Sequence, residues 1–349
     1  GTREMATLLV PETYGTINLA ITAAAGIAAP PHIISVGAGT YLEKLSIPNT
    51  TYVSMVEGRT GNPTDVIVSG ATPVNIAQIG GGVVLKHLTL KDTATPFNPS
   101  YTSSNYVFNN LTGGSTLFNC HIQSGGGGYY TSTSGGVMER CYLLNTDPTK
   151  LISTWGVFNH GTSNTIIYSC LIHDWTHANI YMGTTGTVVN TTVQTSYRLS
   201  SAMRGIHCGT AINCIAHNDS GLNCYSGITA STTTNCISSN WGATTTVDYD
   251  GATPATCFNT STVVTPVFVD EAADDFNIVD TGSAYQNGSY AYQTSNGAPL
   301  DDLVGNAYNV TTPAIGCYEF VSSGGGGTTN SVLKSTGGGL LSSPFTLTP

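Results

Sequence analysis

A short motif recurs through the middle of the chain at a spacing near 22 residues, and such a chain folds as a stack of similar units. Seven segments share it, centred on Cys120, Cys141, Cys170, Thr192, Cys214, Cys236 and Cys257, with successive steps of 21, 29, 22, 22, 22 and 21 residues. A polar residue stands four positions after six of these: Ser124, Asn145, Asp174, Ser196, Asn218 and Asn240. A second pair, Arg204-Gly205-Ile206 and Ser226-Gly227-Ile228, also repeats at 22.

This period, with short strands and polar corners, is that of one coil of a parallel β-helix. No coil buries its apolar residues alone, so coils stack at the ordinary strand spacing of about 4.8 Å, and equivalent positions form ladders. The Cys/Thr ladder is expected inside, because small thiols are rarely left on a surface. The Asn-rich ladder four residues later is expected to hydrogen-bond the corner backbone. The 29-residue step implies an extra loop of roughly seven residues between Cys141 and Cys170. With the cysteines inside, the next residues face out: His121, Tyr142, Leu171, Val193, Ile215, Ile237 and Phe258. That mostly apolar stripe reads as a contact surface. The whole repeat region is expected to make roughly 12–13 coils, about 60 Å long.

Composition agrees with β-structure. Charged residues are only 9% of the 349, Gly reaches 41, and polarity comes from Ser, Thr and Asn. Net charge is −10 and no Lys/Arg cluster occurs, so binding to nucleic acid or an anionic membrane through a basic patch is not expected. No apolar run approaches the length of a membrane span. Met5 reads like a native start, with Gly1 to Glu4 a remnant or the front of a processed product; no secretory signal is visible after it. Six of the nine cysteines belong to the ladder. Parallel neighbours about 4.8 Å apart suit free thiols better than disulfides. No Cys-x-x-Cys pair is present, and neither a metal nor a cofactor is expected.

Thr16 to Ile27 reads as a short amphipathic helix, followed by a strand and turn over His32 to Glu43 that ends in Gly39-Thr40-Tyr41-Leu42-Glu43. Near the other end stand Thr265 to Asp270, Asp274-Asp275-Phe276, Asp301 to Asn306 and Ala314 to Phe320. These stretches resemble the opening and closing coils of the pectate-lyase-like β-helix superfamily. The resemblance implies an all-β chain: a single right-handed parallel β-helix over residues 8–320, with an N-terminal capping helix. An N-terminal extension, 1–7, precedes it, and a Gly-rich linker with an extended C-terminal tail, 321–349, follows. It is nearly silent on activity, since the superfamily holds lyases, hydrolases, adhesins and virion proteins.

The richest polar cluster is His173, Asp174, His177, Arg204, His207 and His217, on three adjacent coils. A polysaccharide lyase needs a base for the proton α to a uronate carboxylate and a cation to neutralise that carboxylate. His173, His177, Arg204 and His207 are the candidates for that chemistry; the plainer reading makes them structural or ligand-contacting. The acid pairs Asp274-Asp275 and Asp301-Asp302 read as turns, because adjacent residues on a strand point to opposite faces and form no ready dyad. The glycine run 125–128 lacks the Lys-Ser/Thr of a phosphate loop and reads as a turn. In the tail, Leu340, Leu341, Phe345 and Leu347 are the residues expected to dock on another subunit, since Gly-rich chain orders only against a partner. The leading expectation is a non-enzymatic structural or adhesive subunit of a phage particle or other extracellular assembly, such as a decoration, fibre or tailspike-like protein. It would contact other subunits and a surface glycan. The alternative is a polysaccharide lyase or glycoside hydrolase.

Overall fold

The computed structural model describes residues 5–320 except 29, 71–74, 94–105, 132–134, 148, 150–152, 162–163, 197–202, 220–223, 242–247, 251–253, 266 and 271–274. The chain is a right-handed parallel β-helix of about nine turns. One coil shows the plan. Thr116–Phe118 lies on a first face, His121–Ser124 on a second and Gly127–Thr131 on a third; Val137–Glu139 then returns to pair in parallel with Thr116–Phe118. The second face is a nine-stranded sheet. The first and third are joined by the long strand Arg204–Ile212, whose start pairs with Ala178–Tyr181 and whose end pairs with Thr187–Val189.

The bend from first to second face is made by one residue in the left-handed region. Asn119, Arg140, Ser169, Asn190, Asn213 and Asn235 all have φ between 46° and 53°. Asn tolerates this conformation better than most residues, and it fills four of these six corners, with Arg140 and Ser169 in the other two. The corner role expected four residues after the thiol is only partly realised. Asp174 and Asn240 are left-handed there (φ 67° and 63°). Ser124 and Asn145 instead accept from backbone amides two residues on, Gly126 and Asp147, at 2.9 and 2.8 Å. Within this series Ser196 links neighbouring coils by donating twice to Asp174 Oδ1, from Oγ at 2.6 Å and from N at 3.3 Å.

The cysteines do face inward. Cys120, Cys141, Cys170, Cys214 and Cys236 are fully buried in the main core. The register corrects one member: Leu171 pairs with Thr192 and Thr192 with Ile215, so Thr191 is the mate of Cys170 and Cys214. Val193 therefore lies inside with Ile172 and Ala216, not on the outer stripe. The expected extra loop is 146–154, nine residues between Asn145 and Trp155 where the preceding coil has two, 125 and 126.

None of the nine cysteines is joined in a disulfide. Burial pushes those of Cys120, Cys141, Cys208 and Cys236 up, whereas Cys257, half-buried at the end of the ladder, is lowered to about 7, first by hydrogen bonding from Cys236. Alkylation of the native protein is thus expected to mark Cys257 first, with a rate that reaches half its plateau near pH 7; denaturant without reductant exposes the rest. Recovery of a single thiol after denaturation would mean disulfides instead.

The outer apolar stripe is covered by the chain itself. Val267, Phe268, Phe276, Ile278, Leu303 and Ile315 pack on Tyr142, Leu171, Ile215 and Ile237 of the second face. After the ninth turn the chain runs back along the helix instead of adding turns, which is why the count is nine and not 12–13. Its path is pinned to the left-handed corners. Asn235 Nδ2 donates to Asn287 O at 2.8 Å, Ser289 N to Asn213 Oδ1 at 2.8 Å, and Arg140 Nε to Leu303 O at 3.5 Å. Asp302 is a turn residue as expected: buried, it accepts from the amides of Val304, Asn306 and Glu319 at 2.7–3.0 Å. Asp275 accepts from Asn277, while Asp274 lies outside the described residues.

At the other end Ile17–Ala24 caps the helix. Thr16 Oγ1 accepts from Leu19 N at 3.1 Å. The Glu43 carboxylate accepts from Ile17 N and Asn18 N at 2.9 and 2.8 Å. The glutamate of the Gly-Thr-Tyr-x-Glu stretch thus satisfies two otherwise orphaned helix donors and places a negative charge at the helix's positive end.

Candidate functional site

The third face carries rings on its outer side. Tyr130, Phe158, Tyr181 and His207 stand in register on four successive coils. Beside them lie Tyr106 and Trp155. Glycine makes this possible on both sides of the strands. A Cβ at Gly127 would sit 2.3 Å from the Tyr106 ring, so only glycine lets that ring lie flat over the next coil. On the inner side Gly205 and Gly227 would bring a Cβ to 2.7 and 2.5 Å from Trp241; Gly156 would strike Asn179 O at 2.5 Å and Trp175 at 2.9 Å. Two fully buried tryptophans thus press the strands from within.

Tyr106, Tyr130, Trp155 and Phe158 are buried, and the strip opens at His177, Tyr181, Arg204 and His207, which are half-buried. There it forms a groove of about 440 Å³ lined by Trp155, Phe158, Asn159, His160, His177, Tyr181 and Arg204, with Gly161 and Gly183. Its contacts are aromatic and cationic. The Phe158 and Tyr181 rings stack at 5.7 Å, and Trp155 lies 4.7 Å from His177. Tyr181 meets His207 edge-on at 4.7 Å. The Arg204 guanidinium sits 5.6 Å from the Tyr181 ring and 4.1 Å from the exposed Tyr225 ring. Arg204 Nε and His207 Nδ1 are buried atoms with no hydrogen-bond partner among the described residues. His177 Nδ1 lies 3.0 Å from Ser153 Oγ. Burial, then the Arg204 charge, holds both imidazoles below the usual histidine range, so both are neutral at pH 7.

The structure divides the cluster read from the sequence. His177 and Arg204 come together in the groove lining, and His207 lies beside it, against Tyr181. His173 does not: it is 1% exposed on the second face, hydrogen-bonded to the Tyr142 hydroxyl at 2.6 Å and covered by Phe276. His217 is buried likewise, against Phe268 and 2.7 Å from Ser239 Oγ. The separation follows from the corner at 174–177, which sends residues before and after it to different faces. Trp155, Phe158, Tyr181 and Tyr225 were not singled out by sequence. The residues Leu340, Leu341, Phe345 and Leu347 lie outside the described residues.

Such a groove has defined chemical capacities. Ring faces stack on the apolar faces of sugars, and a guanidinium forks onto a carboxylate or sulfate. A glycoside hydrolase needs a pair of carboxyl groups across the scissile bond, and among the described residues the groove lining holds no Asp or Glu.

Neither a family model nor a curated protein matches the chain. Among solved structures it is similar to pectate lyase Pel9A, at 10% identity and a TM-score of 0.43, over 91% of this chain and 97% of that one. The rice weevil pectin methyl esterase is similar at 13% identity and a TM-score of 0.42, over 74% and 88%. Pectin methylesterase PemA from Erwinia chrysanthemi is similar at 12% and 0.40, over 69% and 81%. The β-helix itself rests on the parallel pairing of successive coils described above, and these likenesses add nothing about activity.

Proposed function

We propose that this β-helix is a glycan-recognition protein whose third-face groove holds an acidic polysaccharide, and that it attaches to the glycan rather than cleaving it. One observation carries the reading. The Arg204 guanidinium is held between Tyr181 and Tyr225 at the open end of an aromatic strip. A guanidinium stacked on ring faces pairs through its N–H edge with a carboxylate or sulfate. Attachment suits an adhesive subunit of a viral particle or extracellular assembly, with the tail 321–349 as its assembly arm; that setting is part of the proposal.

A second reading, a polysaccharide lyase, is favoured by the same Arg204 with a neutral His207 at its side, the neutraliser and base that proton abstraction requires. A hydrolase is disfavoured by the lining. Polyuronates and glycosaminoglycans are expected to be retained by the protein with no rise in unsaturated-uronate absorbance. Arg204→Ala is expected to weaken retention about ten- to hundredfold, the value of a charge-assisted hydrogen bond. Absence of binding to any acidic glycan would overturn the proposal. Unsaturated products lost in Arg204→Ala or His207→Ala would establish the lyase reading.

A further inference from the structure

Resting on that reading, we infer that the groove takes up protons together with its anionic ligand, through His177 and His207, so that acid tightens binding. The two rings bracket Arg204 from two coils. His177 precedes the strand Ala178–Tyr181; it faces the Ser153 hydroxyl and the Trp155 ring from the preceding coil and the Arg204 charge from the following one. His207 lies three residues beyond Arg204 on one strand. It faces Tyr181 from the preceding coil and feels the Asp250 carboxylate from two coils on, which opposes Arg204. His160 stands at the exposed rim.

With no ligand, burial and then Arg204 keep both rings neutral at pH 7, beside the fixed charge of Arg204. Burial still disfavours the charged rings, but an anion seated against Arg204 offsets the Arg204 repulsion and adds an attraction of its own. Each ring then titrates at higher pH in the complex than in the free protein. Between those two values binding draws in protons. Affinity rises as pH falls through the bound-state value and levels off below the free-state value. Linkage limits the gain to about tenfold per pH unit for each imidazole. Carboxylates and sulfate esters share this chemistry. A uronate loses its own charge in stronger acid, whereas a sulfate keeps it.

The test is calorimetric titration of the full chain with a polyuronate and, separately, a sulfated glycosaminoglycan. Each is run at about pH 5.5, 6.5 and 7.5, where imidazoles change charge, in two buffers of different ionisation heat. Expected are heats that depend on the buffer, with a slope showing net proton uptake, and affinity at least tenfold higher at the lowest pH. Uptake with only one of the two ligands upholds the inference and identifies the anion. His207→Asn and His177→Asn, each checked for an unchanged melting temperature, are expected to bind with reduced uptake. Binding whose heat is independent of buffer and whose affinity is flat with pH overturns the inference and leaves the glycan reading standing. No binding of either ligand at any pH overturns both.

Discussion

Trp241→Ala is expected to destabilise the helix by about 3–5 kcal/mol, the range for emptying a buried tryptophan site. Trp241 is fully buried, donates from Nε1 to Ala216 O at 3.0 Å, and fills the space that Gly205 and Gly227 leave open. The strands around it carry Arg204 and His207, so the loss should be felt at the groove as well as in the core. Trp241→Phe keeps most of the volume but leaves the Ala216 carbonyl without its donor; it should cost less. Urea unfolding followed by circular dichroism measures both. A stack of coils need not unfold as one unit, and an early loosening of the last coils is the expected form of the loss. A change below about 1 kcal/mol for the alanine variant would show that the site collapses and that the glycines are not there for the ring.

Two truncations separate the roles of the C-terminal parts. Ending the chain after Thr262 removes the return segment and exposes Tyr142, Leu171, Ile215 and Ile237. The product is expected to bind a hydrophobic dye strongly and to associate or precipitate, because a contiguous apolar stripe of this kind is not left in water. Ending it after Phe320 keeps that cover. This second product is expected to fold with an unchanged melting temperature and, if 321–349 is an assembly arm, to lose only its association or attachment. A shorter chain that stays monomeric and dye-free after Thr262 would refute the covering role. Lost thermal stability after Phe320 with unchanged association would make the tail an intramolecular cap.

The groove shows where sequence reading stops. Tyr130, Phe158, Tyr181 and His207 are a perfect ladder in space, yet they are 28, 23 and 26 residues apart. The loops between second and third faces differ in length from coil to coil, so the rings share no period along the chain. The thiols cross the same loops, and the longest, 146–154, makes their one step of 29; their other steps stay within 21–23, and the single left-handed residue before them adds no variation in length. The one slip within the ladder, Thr192 for Thr191, arose between two adjacent threonines that both fit the pattern.

What the sequence determined by itself was the coil: its period, the inward thiols, an extra loop between Cys141 and Cys170 and the capping helix. All of these are local or nearest-neighbour features, set by strand alternation and the spacing between adjacent turns. What only the tertiary structure decided was which chemistry meets. It sent His173 and His217 beneath the return segment and gathered His177, Arg204 and His207 beside Trp155 and Tyr181. It also ended the helix at nine turns, because the second face's outer stripe is buried by Phe268, Phe276 and Ile315 from far along the chain. Such contacts depend on the geometry of the completed stack, and no pattern along the chain records them.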